Sequence, residues 1–158
     1  DPATMSLPTT PAVRSTVLHT ARDELLEVVA GLRNDGYDMV IDLTAVDYVA
    51  HPGRTDLPEG MAGERFEVVV SLIHHRSRER ARIRVQVPEE DPVVPSLFDL
   101  YPGTEAMERE VHDLYGVAFE GHPDPTRILM PEDWDGHPLR KDVAVGTIPV
   151  RFKNPAER

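Results

Sequence analysis

The chain has 158 residues, 28 Asp and Glu against 17 Lys and Arg for a formal charge of -11, and no cysteine. That length suits one domain, the missing thiols exclude disulfides, thiol catalysis and thiolate-held zinc or iron-sulfur clusters, and the acidity argues against DNA or RNA as main ligand. No apolar run approaches the ~20 residues a membrane span needs, and no charged-then-apolar leader is visible, so a cytoplasmic home is expected, with Met5 as a candidate native start.

Residues 1–13, rich in proline and small polar residues, read as a flexible N-terminal arm. An α+β body is expected over 14–115: a mostly antiparallel sheet with packing helices, followed by an extended C-terminal docking tail over 116–158. Arg14 to His19 suits a short strand. Thr20-Ala-Arg-Asp23 has the form of a capping box, and Leu25, Val28, Val29 and Leu32 mark one apolar face of a helix over 21–35 that Gly36 ends. From Asp38 to Tyr48 the alternation predicts a strand with Met39, Ile41 and Leu43 on one face and Val40, Asp42, Thr44 and Val46 on the other. A polar loop over 50–63 follows.

Arg65 to His75 reads as a central strand. A turn around Ser77 and Arg78 leads into a partner with Ala81, Ile83, Val85 and Val87 on its buried face, which makes a hairpin. The arginines at 76, 78, 80, 82 and 84 fall on the other side, where a solvated face opposite the acidic excess outweighs a phosphate ladder. His74 and His75 point apart across a strand and do not chelate together. Ser96 starts a short helical turn through Leu100, and Thr104 caps a second helix with Met107, Val111, Leu114 and Tyr115 as its buried stripe. Its polar positions form two i, i+4 series, Glu105 with Arg109 and Asp113, and Glu108 with His112. Glu110 flanks the stripe and is a candidate for a partner's arginine.

After Gly116 the periodicity ends. Six of the 15 prolines fall in the last 43 residues, and this part carries 7 acidic against 6 basic residues, whereas the part up to Tyr115 carries 21 against 11. So polar a segment buries too little to hold one shape alone, yet it spaces Ile128, Leu129, Met130, Trp134 and Leu139 as apolar anchors, so it should order against something. His122, Asp124, Asp133 and His137 have the residue types of a metal site, which would make a metal-dependent hydrolase using His122 and His137 the alternative of another class. Each of those histidines lies between Gly and Pro, where a turn explains it. Glu108 and Glu110 point in different directions on a helix and do not make an acid-base pair. No phosphate-binding glycine loop is present.

Glu108-Arg109-Glu110, Asp113-Leu114-Tyr115-Gly116, Gly121-His122-Pro123, Arg127-Ile128-Leu129, Pro131-Glu132-Asp133-Trp134 and Gly136-His137-Pro138-Leu139-Arg140-Lys141-Asp142 resemble the signature of the 30 kDa subunit family of the proton-pumping NADH:quinone oxidoreductase. Asp42 to Tyr48 resembles an earlier strand of that family. The resemblance implies a cofactor-free scaffold in the cytoplasmic peripheral arm of respiratory complex I, at the inner membrane. Its partners would be the large peripheral-arm subunit whose surface helps form the quinone site, and neighbouring iron-sulfur subunits. FMN, iron-sulfur clusters and quinone would be held by those partners, with no catalytic, cofactor or metal residue in this chain. Homologous subunits of membrane-bound hydrogenases and of F420-type and plastoquinone-reducing complexes share the pattern. The partner interface it implies consists of Glu108, Arg109, Glu110, Asp113, His122, Arg127, Trp134, His137, Arg140, Lys141 and Asp142. Pro125-Thr126 stands where the family usually has Leu-Arg, which removes one basic contact from the tail.

Overall fold

The computed structural model describes residues 15–49, 51 and 54–143. The arm expected over 1–13 and the end of the tail from 144 lie outside the described residues. Strand β1 (Ser15–Thr20) leads to helix α1 (Leu25–Asn34), then β2 (Met39–Asp47), β3 (Phe66–Ile73), β4 (Arg80–Val87), a short β5 (Val93–Pro95), helix α2 (Glu105–Tyr115) and a short β6 (Ala118–Glu120). The main sheet runs β1-β4-β3-β2. The pairs β2/β3 and β3/β4 are antiparallel and β1/β4 is parallel, so α1 carries the chain across the sheet from one edge to the other. The fold is α+β with a mostly antiparallel sheet and packing helices.

Strict alternation builds the hairpin. Phe66, Val68, Val70 and Leu72 of β3 and Ala81, Ile83, Val85 and Val87 of β4 are at most 2% exposed. They form one core with Leu25 and Val29 of α1, Val111 of α2, and Leu97, Tyr101, Val117 and Phe119. Burying a side chain of this size contributes about 1.5–3 kcal/mol, so this inner face is the main source of stability. Packing continues past Tyr115, because Val117 and Phe119 are core and β6 pairs in parallel with β5.

Three local expectations need correction. Thr20 does not cap α1: its hydroxyl donates to the Ala21 carbonyl, and the helix begins only at Leu25. Residues 21–24 form a turn because Arg22 is held by the Asp91 carboxylate (2.9 Å) and the Asp91 and Val93 carbonyls. The register of β2 shifts between Val40 and Asp42, and this bulge flips the strand, leaving Met39 and Ile41 half exposed while Leu43, Ala45 and Asp47 face inward. Arg76 and Arg78 lie before β4, Arg78 with φ 61°, so only Arg80, Arg82 and Arg84 share the outer sheet face. Arg84 is not solvated there, since it binds the buried Glu67 at 2.7 Å.

Candidate functional site

Helix α2 buries two carboxylates among its apolar residues. Glu108 and Asp113 are both 0% exposed. A carboxylate out of water needs donors around it, and each has a full set. Glu108 accepts the Leu97 N–H at 2.8 Å and the Ser96 hydroxyl at 2.6 Å, so it fastens the turn before the helix rather than pairing with His112. Asp113 Oδ2 accepts three consecutive backbone N–H groups, from Ile128 (3.1 Å), Leu129 (2.8 Å) and Met130 (2.8 Å), and Oδ1 takes Arg127 at 2.6 Å. Burial pushes this carboxyl up, but the Met130 N–H, the Arg127 guanidinium and the other two N–H groups outweigh it and hold the pKa at about 2.

The segment 116–143 therefore turns back on its own helix as a strap. A helix leaves its last four carbonyls without partners, and here the strap and the helix cap supply every one. The Gly116 N–H binds the His112 carbonyl and the Leu139 N–H binds that of Leu114. His137 Nδ1–H (3.0 Å) and Arg127 (3.2 Å) donate to the Asp113 carbonyl, and Arg140 Nε–H donates to that of Tyr115 at 2.7 Å. Placing cations at this end also suits the helix dipole. Gly116 has φ 74°, and a Cβ there would fall 2.5 Å from His137 Nε2 and 2.6 Å from Arg140 Nη2, so no side chain fits. Burial, with the nearby Arg140 and Arg127, holds His137 below its ordinary pKa despite its bond to the carbonyl.

The remaining strap contacts extend this pattern. Arg127 Nη2 donates to the carbonyls of Trp134 and Gly136, both at 3.0 Å, which closes the loop between them. Arg109 spans from Glu105 (3.1 Å) to the carbonyls of Thr126 and Arg127 and to the Thr126 hydroxyl. Thr126, read as a lost basic contact, thus accepts from one instead. His122 donates from Nε2 to the Glu105 carbonyl and accepts the Asp124 N–H at Nδ1, both at 3.0 Å. At the far end Asp47 accepts the Lys141 N–H at 2.9 Å, and Arg65 bridges Asp47 and Asp142. The Arg65 guanidinium and the N–H groups of Val49 and Lys141 hold the Asp47 carboxyl below its usual range against the effect of burial.

These contacts sort the residues that the sequence pointed to. Glu108 and Asp113 offer no surface, and Arg109, His122, Arg127, His137 and Arg140 act within the chain. Glu110, Lys141 and Asp142 are exposed, Trp134 is half-buried, and Ile128, Leu129 and Leu139 are 40%, 57% and 41% exposed. His122 and His137 bind carbonyls eight residues apart on α2, about 12 Å along its axis, so they do not meet at one ion. Asp47, Arg65 and Ser96 were missed. For Asp47 the signal was a carboxylate on the inward side of a strand end, where a paired role is required.

Residues 18–148 match the model of the family described as respiratory-chain NADH dehydrogenase, 30 Kd subunit. An NADH-quinone oxidoreductase subunit of Saccharopolyspora erythraea is 41% identical over 135 residues, covering 84% of this chain and 50% of that protein. The protein of the same name from Roseiflexus castenholzii is 43% identical over 138 residues, covering 85% of this chain and 73% of its own length. The chain thus spans about half to three quarters of these relatives. The solved trypsin-resistant fragment (1-134) of Nqo5 shares the fold with a TM-score of 0.62 and 34% identity over 70% of this chain and 82% of the fragment. The family match takes in sheet, helices and strap alike, and on it the chain belongs to the respiratory-chain NADH dehydrogenase 30 Kd subunit family.

Proposed function

We propose that the chain is a scaffold subunit of an NADH:quinone oxidoreductase, complex I, seated in the peripheral arm on the cytoplasmic side of the membrane and without a catalytic centre of its own. The observation that carries this reading is the strap. Its motif residues are spent on fixing the course of the chain, and what they turn outward is a set of apolar and acidic side chains, Ile128, Leu129, Leu139, Glu110 and Glu132, on a rigid frame. A surface ordered before binding loses less conformational freedom when it docks, which favours assembly over chemistry. The relatives named as NADH-quinone oxidoreductase subunits support the same assignment.

On this reading the strap lies against the large peripheral-arm subunit near the quinone site, and FMN, iron-sulfur clusters and quinone are held by the partner subunits. Membrane association comes through those partners, since no helix among the described residues is long and apolar enough to cross a bilayer. The test is affinity purification of the tagged chain from its host in mild detergent. An iron-sulfur and flavin-bearing membrane complex is the expected product, and its flavin-bearing component distinguishes NADH from another donor. Recovery of the chain alone would overturn the proposal.

A further inference from the structure

The outer face of the sheet is covered at one end and bare at the other. Loop residues 54–64 close over the covered end: Arg54 reaches Gln86 (2.8 Å) and the buried Glu67, the Glu64 N–H binds Gln86, and Asp56 pairs with Arg84. Beyond Arg84 no described residue covers the face. The bare end holds Arg80 and Arg82, which stand beside Ser15 and Val17 of β1 on one side and Ile73 and Ser71 of β3 on the other. Arg76 and Arg78 of the β3/β4 turn continue it, and all four arginines are exposed.

These four differ from the other arginines. Among the described residues, every arginine outside 76–82 hydrogen-bonds a carboxylate or carbonyl or lies over an aromatic ring. Arg76, Arg78, Arg80 and Arg82 do neither. Their register neighbours are neutral, the nearest carboxylate on the same face is Asp42 across Ser71, and Glu79 is engaged with Ser77. In a chain of formal charge -11, intramolecular pairing has been left out at one contiguous place. Four like charges within seven residues repel one another, and a carboxylate-bearing surface would offset that.

We propose that this bare half-face is a second interaction surface, distinct from the strap, that receives an acidic segment of a neighbouring subunit. The inference rests on the subunit reading above. The apolar Val17 and Ile73 flank the arginines and give such a segment area to bury. Arg80 and Arg82 are about 7 Å apart along the strand, close to the ~6 Å between carboxylates at i and i+4 of a helix, so one helical turn presents an acid to each. The overall acidity disfavours a nucleic acid or an anionic membrane at a patch of only four cations, while a protein neighbour needs only local complementarity.

The test uses the intact complex. Arginine modification by a glyoxal reagent is compared in the complex and in the free chain, and Arg80→Lys and Arg82→Lys variants of the complex are treated with a carbodiimide, which joins Lys Nζ to a carboxylate within contact. The proposal expects modification at 76–82 to fall at least tenfold in the complex, and the introduced lysines to link to Asp or Glu of another subunit. Equal modification in both forms, or links found only within this chain or between two copies of it, would overturn it. A wild-type chain that enters no complex would overturn the subunit reading and this inference together, whereas a complex with unprotected arginines removes the inference alone.

Discussion

Asp113 and Glu67 are carboxylates of equal burial, 0% and 1% exposed, and they organise different kinds of structure. Asp113 takes most of its donors from the backbone of one segment, the N–H groups of residues 128–130. Glu67 takes its donors from side chains, Arg54, Arg84 (2.7 Å) and Gln86 (2.5 Å). Backbone donors have fixed positions along the chain, so an acid that collects three of them dictates the path of the polypeptide. Side-chain donors reach from flexible stems, so Glu67 fastens a loop to the sheet while leaving its path less defined. The strap is in this sense architecture and the 54–64 loop is a clasp.

The largest effect should come from Asp113→Ala, which leaves three N–H groups and a guanidinium without their acceptor. A loss of about 3–5 kcal/mol is expected, measured by denaturant unfolding, with new trypsin cleavage at Arg127 and Arg140 before the sheet unfolds. Glu67→Ala should cost about 2–3 kcal/mol, because Arg54 and Arg84 keep Asp56 as a second acceptor. Cleavage should then move to the 54–64 loop. Equal cleavage patterns in the two variants would remove the distinction between the two centres.

Acid sharpens the comparison further. The Asp113 pKa falls from 3.8 to about 2 on folding, so its contribution is fully present above the unfolded value and is lost as pH falls from about 4 to 2. The loss amounts to roughly 2 kcal/mol, and Asp113→Asn should remove that part of the pH dependence in acid titrations of stability. Arg54→Ala, which opens only the clasp, should cost about 1–2 kcal/mol by the same unfolding measurement. The smallest effect on folding, under about 0.5 kcal/mol, is expected for Leu129→Ser, since that side chain is 57% exposed. Its effect should appear instead as reduced recovery of the assembled complex.

The hairpin of β3 and β4 was legible in the sequence because period-two alternation has no other good explanation, and the apolar face of α1 was legible for the equivalent reason at period 3.6. The bulge at Val40/Asp42 was not, since one inserted residue changes no composition. Burial of Glu108 and Asp113 was hidden more deeply. Hydropathy reads a carboxylate as solvated, and the donors that make these two cheap to bury come from residues 96–97 and 127–130, which periodicity does not connect to the helix. The same blindness made the strap look unable to order by itself. Its apolar content is low, but it orders by hydrogen-bonding to the helix end.

Amide hydrogen exchange on the chain by itself, with no partner, tests whether Asp113 holds the strap. The N–H groups of Ile128, Leu129 and Met130 should be protected in the wild type and exchange freely in Asp113→Asn, while those of β3 and β4 stay protected in both. Free exchange at 128–130 in the wild-type chain would contradict it and would mean that the strap orders only against a neighbour.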